Sequence, residues 1–229
     1  HYTLELQDTV VAKRYDSCIT EIPLSELDSR KNEVLDIVKN IEGELIVKEY
    51  PTKSASTRTL ASHLEKIRMH GKKIDMIIVD YGDLLRPVER RKEKRNELES
   101  IYEELRGLAQ EYQCPIWTAS QTNRSGLNEE VITMESISEA FSKCFVSDLI
   151  MTLSRTIEDK NTNSGRIFVA KNRNGADGIV IPIFMDTSYV KIRILPKGEA
   201  VEEGTSVKSL KEKNIELRKK YINKRRERK

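Results

Sequence analysis

Cysteine is scarce and scattered, with Cys18, Cys114 and Cys144 the only three in 229 residues. An odd number with no Cys-x-x-Cys pair supports neither a disulfide framework nor a zinc site. That usage fits a reducing cytosol. No apolar run approaches the ~20 residues of a membrane span and no secretory leader is visible, so no membrane association is expected. Hydrophobic residues make up 38% of the chain, low for a globular enzyme. The most consequential absence is a Gly-x-x-x-x-Gly-Lys-[Ser/Thr] stretch. His70-Gly71-Lys72-Lys73 precedes a strand instead of following one and has no hydroxyl for a metal. A phosphate cradle is missing. The first residue is His1, within what reads as a strand, so the sequence is expected to be a piece of a longer chain whose beginning is missing.

Charge is abundant and uneven. Charged residues reach 34%, and residues 207–229 hold eleven Lys or Arg against three Glu, net +8, leaving −5 elsewhere in a chain of net +3. Such asymmetry suits contact with nucleic acid or an acidic partner, or else a solvated terminal helix. Along the chain the pattern predicts a strand end at Tyr2–Leu6 and helices over Asp8–Tyr15, Glu26–Lys39 (capped by Ser25), Ser56–His70, Asn96–Tyr112 and Ser136–Phe145. Strands are predicted over Glu44–Tyr50, Met76–Asp80, around Trp117, and over Asp148–Leu153, Arg166–Asn172, Ile179–Met185 and Tyr189–Ile194, with Asn174-Gly175 as a hairpin turn. Strands alternating with helices indicate a mostly parallel α/β sheet ending in an antiparallel hairpin. No internal repeat is present.

Two apolar runs stop abruptly at polar residues: Met76-Ile77-Ile78-Val79 at Asp80, and Pro115-Ile-Trp-Thr-Ala-Ser at Gln121. Runs of this kind read as strands buried on both faces, and their carboxyl ends are where α/β proteins place ligands. Asp80 suits a carboxylate that holds the water shell of Mg²⁺ bridging nucleotide phosphates, or an ordinary cap of the next turn. Glu5, at the end of a neighbouring strand, suits a general base toward water. Gln121 suits a neutral amide that senses a γ-phosphate. Lys171 and Arg173 alternate along one strand and so face one side, as a cationic pair for phosphoryl charge or as plain surface residues. Between Arg86 and Arg95 lie six cations, and Arg86, Arg90 and Arg91, with Asn123 and Arg124 after Gln121, are candidate phosphate contacts for a single strand. Both loops are poor in aromatics, which gives no support to base stacking.

In order, these segments resemble the motor domain of DnaB-type hexameric replicative DNA helicases, particularly those of phages, over about residues 2–187. Thr3-Leu4-Glu5-Leu6 is similar to the family's Ser-Leu-Glu-Met, and Ile77-Ile78-Val79-Asp80-Tyr81 to its Walker B strand. Ala119-Ser120-Gln121-Thr122-Asn123-Arg124 is similar to its Ser-Gln-Leu-Asn-Arg, Ser147-Asp148-Leu149-Ile150-Met151 to its Ala-Asp-hydrophobic strand, and Ala170-Lys171-Asn172-Arg173-Asn174-Gly175 to its Lys-Gln-Arg-Asn-Gly.

The resemblance implies a RecA-like P-loop NTPase core, truncated at its N-terminus, with residues 1–196 the motor domain and 197–229 a basic helical tail. It implies ATP and Mg²⁺ as cofactors, and single-stranded DNA, a homo-hexameric ring, a primase and a helicase loader as partners. Glu5 would activate water, Asp80 would serve the metal, and Lys171 and Arg173 would reach the neighbouring subunit's nucleotide. Ile137-Ser138-Glu139-Ala140-Phe141 departs from the Arg-Glu-Ser-Gly expected in the family's DNA-gripping loop. The implied activity is ATP-dependent translocation and unwinding at a replication fork, with this fragment inactive alone. A strand-exchange recombinase, and a non-catalytic DNA-binding or loader-docking protein, are the alternatives.

Overall fold

Short branched runs ending at polar residues build the first half of the structure. The computed structural model describes residues 1–122, 130–134 and 142–195. Contacts divide the chain into two units, the first made of His1–Gln121 with Ser138–Ser147, the second of the remainder. In the first, strands β1 (Tyr2–Thr3), β2 (Lys48–Glu49), β3 (Ile77–Asp80) and β4 (Ile116–Thr118) form a parallel sheet in the order β2-β1-β3-β4. Tyr2 is opposite Val79 and Thr3 opposite Asp80, while Ile78 is opposite Trp117. Parallel neighbours need crossovers, and helices supply them: α1 (Asp8–Thr20), α2 (Lys31–Val38), α3 (Thr57–Met69) and α4 (Lys94–Glu111).

Two of these helices cover one sheet face. In α3 the start is set by a reciprocal cap, Ser56 and Thr59 each accepting the other's backbone N–H through its hydroxyl. Its end is set by Gly71 at φ +75°, a conformation glycine adopts without strain. Leu60 and Leu64 face inward from α3, and Leu98, Ile101, Tyr102, Leu105 and Leu108 from α4, at helical spacing. All of these except Leu98 join Tyr2, Ile77 and Val79 of the sheet, and Leu4 just after β1, in one core. Each large aliphatic side chain buried there contributes roughly 1.5–3 kcal/mol.

The second unit is antiparallel. Strands β5 (Leu149–Ser154), β6 (Ser164–Asn172), β7 (Ile179–Asp186) and β8 (Lys191–Ile194) follow one another as a meander around buried Phe168, Val169, Ala170 and Ile183. A bulge between Ile150 and Met151 shifts the β5–β6 register. Between β5 and β6 lies α6 (Ile157–Asn161), opened by a reciprocal cap of Thr156 and Asp159. Arg166 reaches Asp159 at 2.8 Å, both side chains almost covered.

Several expectations are corrected. The antiparallel part is a four-stranded sheet, not a hairpin appended to a parallel one. The strand over 44–50 shrinks to Lys48–Glu49, and that over 2–6 to Tyr2–Thr3. Helix α1 runs on to Thr20, where Glu21 turns into the left-handed region. Helix α2 begins at Lys31, because the chain from Pro23 turns first: the Glu26 N–H donates to the Pro23 carbonyl and the Ser29 hydroxyl to the Glu26 carbonyl. The β3 and β4 strands are not buried on both faces. Ile78 and Asp80 are half-covered and Trp117 is 41% exposed, since the described helices cover mainly the Val79 side. Lys94 and Arg95, expected in the basic loop, form the first turn of α4. A short helix α5 (Ser142–Val146) occupies the end of the segment predicted at 136–145. Asn123, Arg124, the 137–141 segment and the tail from residue 197 lie outside the described residues.

Candidate nucleotide site

The parallel register sets the site. Because Thr3 pairs with Asp80, both strands end together, and the Leu4 N–H donates to the Asp80 carbonyl at 2.8 Å. Glu5 follows immediately, exposed at the same carboxyl edge. Its backbone is fixed from both sides. Thr3 Oγ1 donates to the Leu6 carbonyl and accepts the Leu6 N–H, and Thr52 donates to the Leu4 carbonyl at 2.7 Å. Next to this edge β4 ends at Thr118, two residues before Ser120. The Gln121 amide Nε2 donates to the Tyr81 hydroxyl at 3.0 Å, which joins the residue after Asp80 to the predicted sensor. Glu5, Asp80 and Gln121 thus stand on one edge of one sheet.

The turn after β3 is tight. Residues Gly82–Leu84 form a single 3₁₀ turn, and the Gly82 N–H donates to Thr118 Oγ1 at 2.8 Å. A methyl group on Gly82 would stand 3.2 Å from that oxygen and 3.4 Å from the Tyr102 ring. Close packing there explains the glycine. The Asp80 side chain is 37% exposed, with His1 Nε2 4.0 Å away. The other ring nitrogen of His1 meets the Tyr15 hydroxyl at 2.9 Å, and burial, then the charge of Asp80, raises the Tyr15 phenol above its ordinary range.

Among the described residues no group of three or more His, Cys, Asp or Glu could cage a metal. Mg²⁺ asks for less: one or two carboxylates, waters and the substrate's phosphates. A single half-exposed carboxylate at a strand end fits that demand. Asp80 is therefore the residue that would hold the ion.

Lys171 and Arg173 belong to the second unit. Lys171 is half-buried on β6, opposite Ile150, and Arg173 follows the strand. The Arg173 guanidinium lies 2.8 Å from Asp148, and its backbone N–H donates to the Asp148 carbonyl, also at 2.8 Å. Arg86, Arg90 and Arg91 are exposed after the 3₁₀ turn. The Arg86 N–H is anchored on the Ala55 carbonyl, and Arg91 spans toward α4 through Glu97 and Ser100.

Sequence reasoning missed a polar cluster behind the edge. The Asp83 carboxylate accepts from the Tyr102 hydroxyl at 2.8 Å, from Ser120 at 3.2 Å and from Lys143 at 3.0 Å. Burial, then the neighbouring Asp83 charge, pushes the Tyr102 phenol far above its ordinary range. A lysine inside a short segment of Cys144, Phe145 and Val146 was the available signal. A cavity of about 370 Å³, lined by His1, Tyr15, His63, Lys72 and Asp75, opens instead beside Ile77 and Ile78, at the start of β3. Asp80, the strand-end carboxylate, is not among its lining residues.

Comparison with known proteins gives a consistent result. Residues 1–192 match the model of the DnaB-like helicase C terminal domain. A DnaB-like replicative helicase of Enterobacteria phage T4 is 27% identical over 187 residues, covering 76% of this chain and 39% of that protein. The chain thus spans well under half the length of that relative. A solved ATPase domain superposes with a TM-score of 0.73 at 16% identity, covering 85% of this chain and 73% of its own. A solved DnaB-like replicative helicase, described with its interactions with primase, gives 0.71 at 16% identity, covering 85% of this chain and 51% of its own.

Proposed function

The chain belongs to the DnaB-like helicase C-terminal domain family, and from that membership we propose that it is part of the motor of an ATP-driven replicative DNA helicase. The observation that carries this reading is the shared carboxyl edge of β1, β3 and β4. There Asp80 ends β3, Glu5 follows the end of β1 by two residues, and Gln121 is tied to Tyr81. Residues 1–196 form the motor domain in this reading, and 197–229 a basic appendage.

The residues divide the work by chemistry. Glu5, exposed and held by its backbone, orients and polarises the attacking water. Gln121, neutral and donating, reads the terminal phosphate and passes its presence to Tyr81. Asp80 holds Mg²⁺ through its water shell. When bound, Mg²⁺ would neutralise the charge that develops on the phosphates. Lys171 and Arg173 act on the nucleotide of the adjacent subunit in a homo-hexameric ring. Arg173 can exchange its exposed Asp148 partner for a phosphoryl group, to which a guanidinium donates bidentately. The phosphate cradle this chemistry requires is not among these residues and has to come from another stretch of the complete protein. Arg86, Arg90 and Arg91, with Asn123 and Arg124, track single-stranded DNA. A primase and a loader are the expected partners, in the cytoplasm; the link to primase rests on one relative's description.

The test is steady-state ATP hydrolysis by the complete protein with single-stranded DNA, wild type against Glu5→Gln and Asp80→Asn. Loss of turnover in both is expected. Wild-type turnover by Asp80→Asn would overturn the assignment.

A further inference from the structure

One buried ion pair in the first unit takes no part in the roles just assigned. Lys143, on α5, is 2% exposed, and its ammonium donates to both oxygens of Asp83, at 3.0 and 3.3 Å, and to the Ser120 hydroxyl at 2.5 Å. The same nitrogen lies 5.6 Å from the centre of the Tyr102 ring. Placing an ammonium and a carboxylate out of water is costly, and apolar packing stabilises a core as well. What the ion pair adds is direction. Asp83 accepts from three side chains on three separate segments: Tyr102 of α4, Ser120 after β4, and Lys143 of α5.

Sequence distance makes the arrangement pointed. Asp83 stands three residues after Asp80, in the 3₁₀ turn, and Ser120 immediately before Gln121. Helix α5 is itself held on α4, because Arg106 donates to the Val146 carbonyl at 2.6 Å. The chain leaves this unit after Gln121 and rejoins it before Lys143. The pair therefore pins the segment where the chain departs to the segment where it returns, behind the two residues assigned to metal and γ-phosphate.

We propose that Lys143 is a positioning residue for ATP hydrolysis: through Asp83 and Ser120, its buried ammonium sets Asp80 and Gln121 in register. This rests on the reading that Asp80 and Gln121 line the nucleotide site. Neither Lys143 nor Ser120 touches substrate in it.

The experiment uses the complete protein with ATP, Mg²⁺ and single-stranded DNA. Rates against ATP concentration and thermal midpoints are measured for Ser120→Ala, Lys143→Met, the double variant and Asp80→Asn. Misplacement by an ångström costs up to about 100-fold in rate. Lys143→Met and Ser120→Ala are therefore each expected to lower kcat about tenfold, with KM for ATP within about threefold. The double variant should be little worse than Lys143→Met, because both act through one network. Should Lys143→Met fold poorly, Ser120→Ala decides, since it leaves the ion pair intact. Unchanged kcat per folded molecule in Ser120→Ala and Lys143→Met, with only the thermal midpoint lowered, overturns the positioning role while Asp80→Asn still loses turnover. Wild-type turnover in Asp80→Asn overturns the site reading and this proposal together.

Discussion

Replacing Arg173 by Ala separates two effects that differ by several kcal/mol. In the structure Arg173 and Asp148 form an ion pair at 2.8 Å, with the two side chains 46% and 56% exposed. Pairs so exposed contribute about 0.2–1 kcal/mol. The backbone bond from residue 173 to the Asp148 carbonyl does not depend on the side chain. The variant should therefore fold, with a thermal midpoint lowered by no more than about 3 °C. If Arg173 stabilises phosphoryl transfer across a subunit boundary, its removal lowers kcat by about 10³-fold or more, equal to about 4 kcal/mol of barrier. Mixing tests the direction of action. In rings assembled from equal parts of Arg173→Ala and Glu5→Gln subunits, about a quarter of the interfaces combine an intact Glu5 with an intact Arg173. Coupled-enzyme ATPase measurements should find turnover in the mixture well above that of either variant alone. A loss smaller than tenfold, or a mixture no better than its parents, refutes the assignment.

Leu60, fully buried between α3 and the parallel sheet, should cost about 2–4 kcal/mol on truncation to Ala, read by chemical denaturation. Asp159→Ala leaves the covered Arg166 uncompensated and should cost about 2–4 kcal/mol at pH 7. Burial alone would raise the Asp159 carboxyl, but the Thr156 N–H and the Arg166 charge hold it below its ordinary value. Its contribution is thus present above the unfolded carboxylate pKa of ~3.9 and vanishes as pH falls through the lower folded value. Melting curves of wild type and variant should converge in acid; a gap that persists there contradicts the ionic account. Ala at Arg86, Arg90 and Arg91 together should weaken single-stranded DNA binding and reduce the slope of log K against log salt by about 2, at ~0.7 per phosphate contact. An unchanged slope would remove these arginines from the interface.

The features read correctly from sequence were local. Asp80 and Gln121 announced themselves because an apolar run stopped at a polar residue, and the parallel pairing of β3 and β4 places both at the carboxyl edge. Helix α3 carried its own boundaries in Ser56 and Gly71. The misreadings arose where distant partners decide. The strands at 149–154 and 191–194 were recognised, but their joining into one antiparallel sheet depends on pairing with β6 and β7. Helix α2 lost its predicted first turns to the local bonds of Pro23, Glu26 and Ser29. Lys143 and Asp83 are 60 residues apart, and no short-range pattern joins them. Helix α6 was legible and overlooked: Thr156-Ile157-Glu158-Asp159 has the spacing of a capping box. The departure at residues 137–141 and the basic tail stay with the sequence reading, since both lie outside the described residues.

The most direct test of the motor assignment is unwinding. The complete protein that contains this chain is incubated with ATP, Mg²⁺ and a forked duplex bearing a fluorophore and quencher, in parallel with its Asp80→Asn form. The account predicts ATP-dependent strand separation by the wild type and none above background by Asp80→Asn, with single-stranded DNA binding retained by both. Strand separation at the wild-type rate by Asp80→Asn, or none by the wild type while it binds DNA, would contradict it.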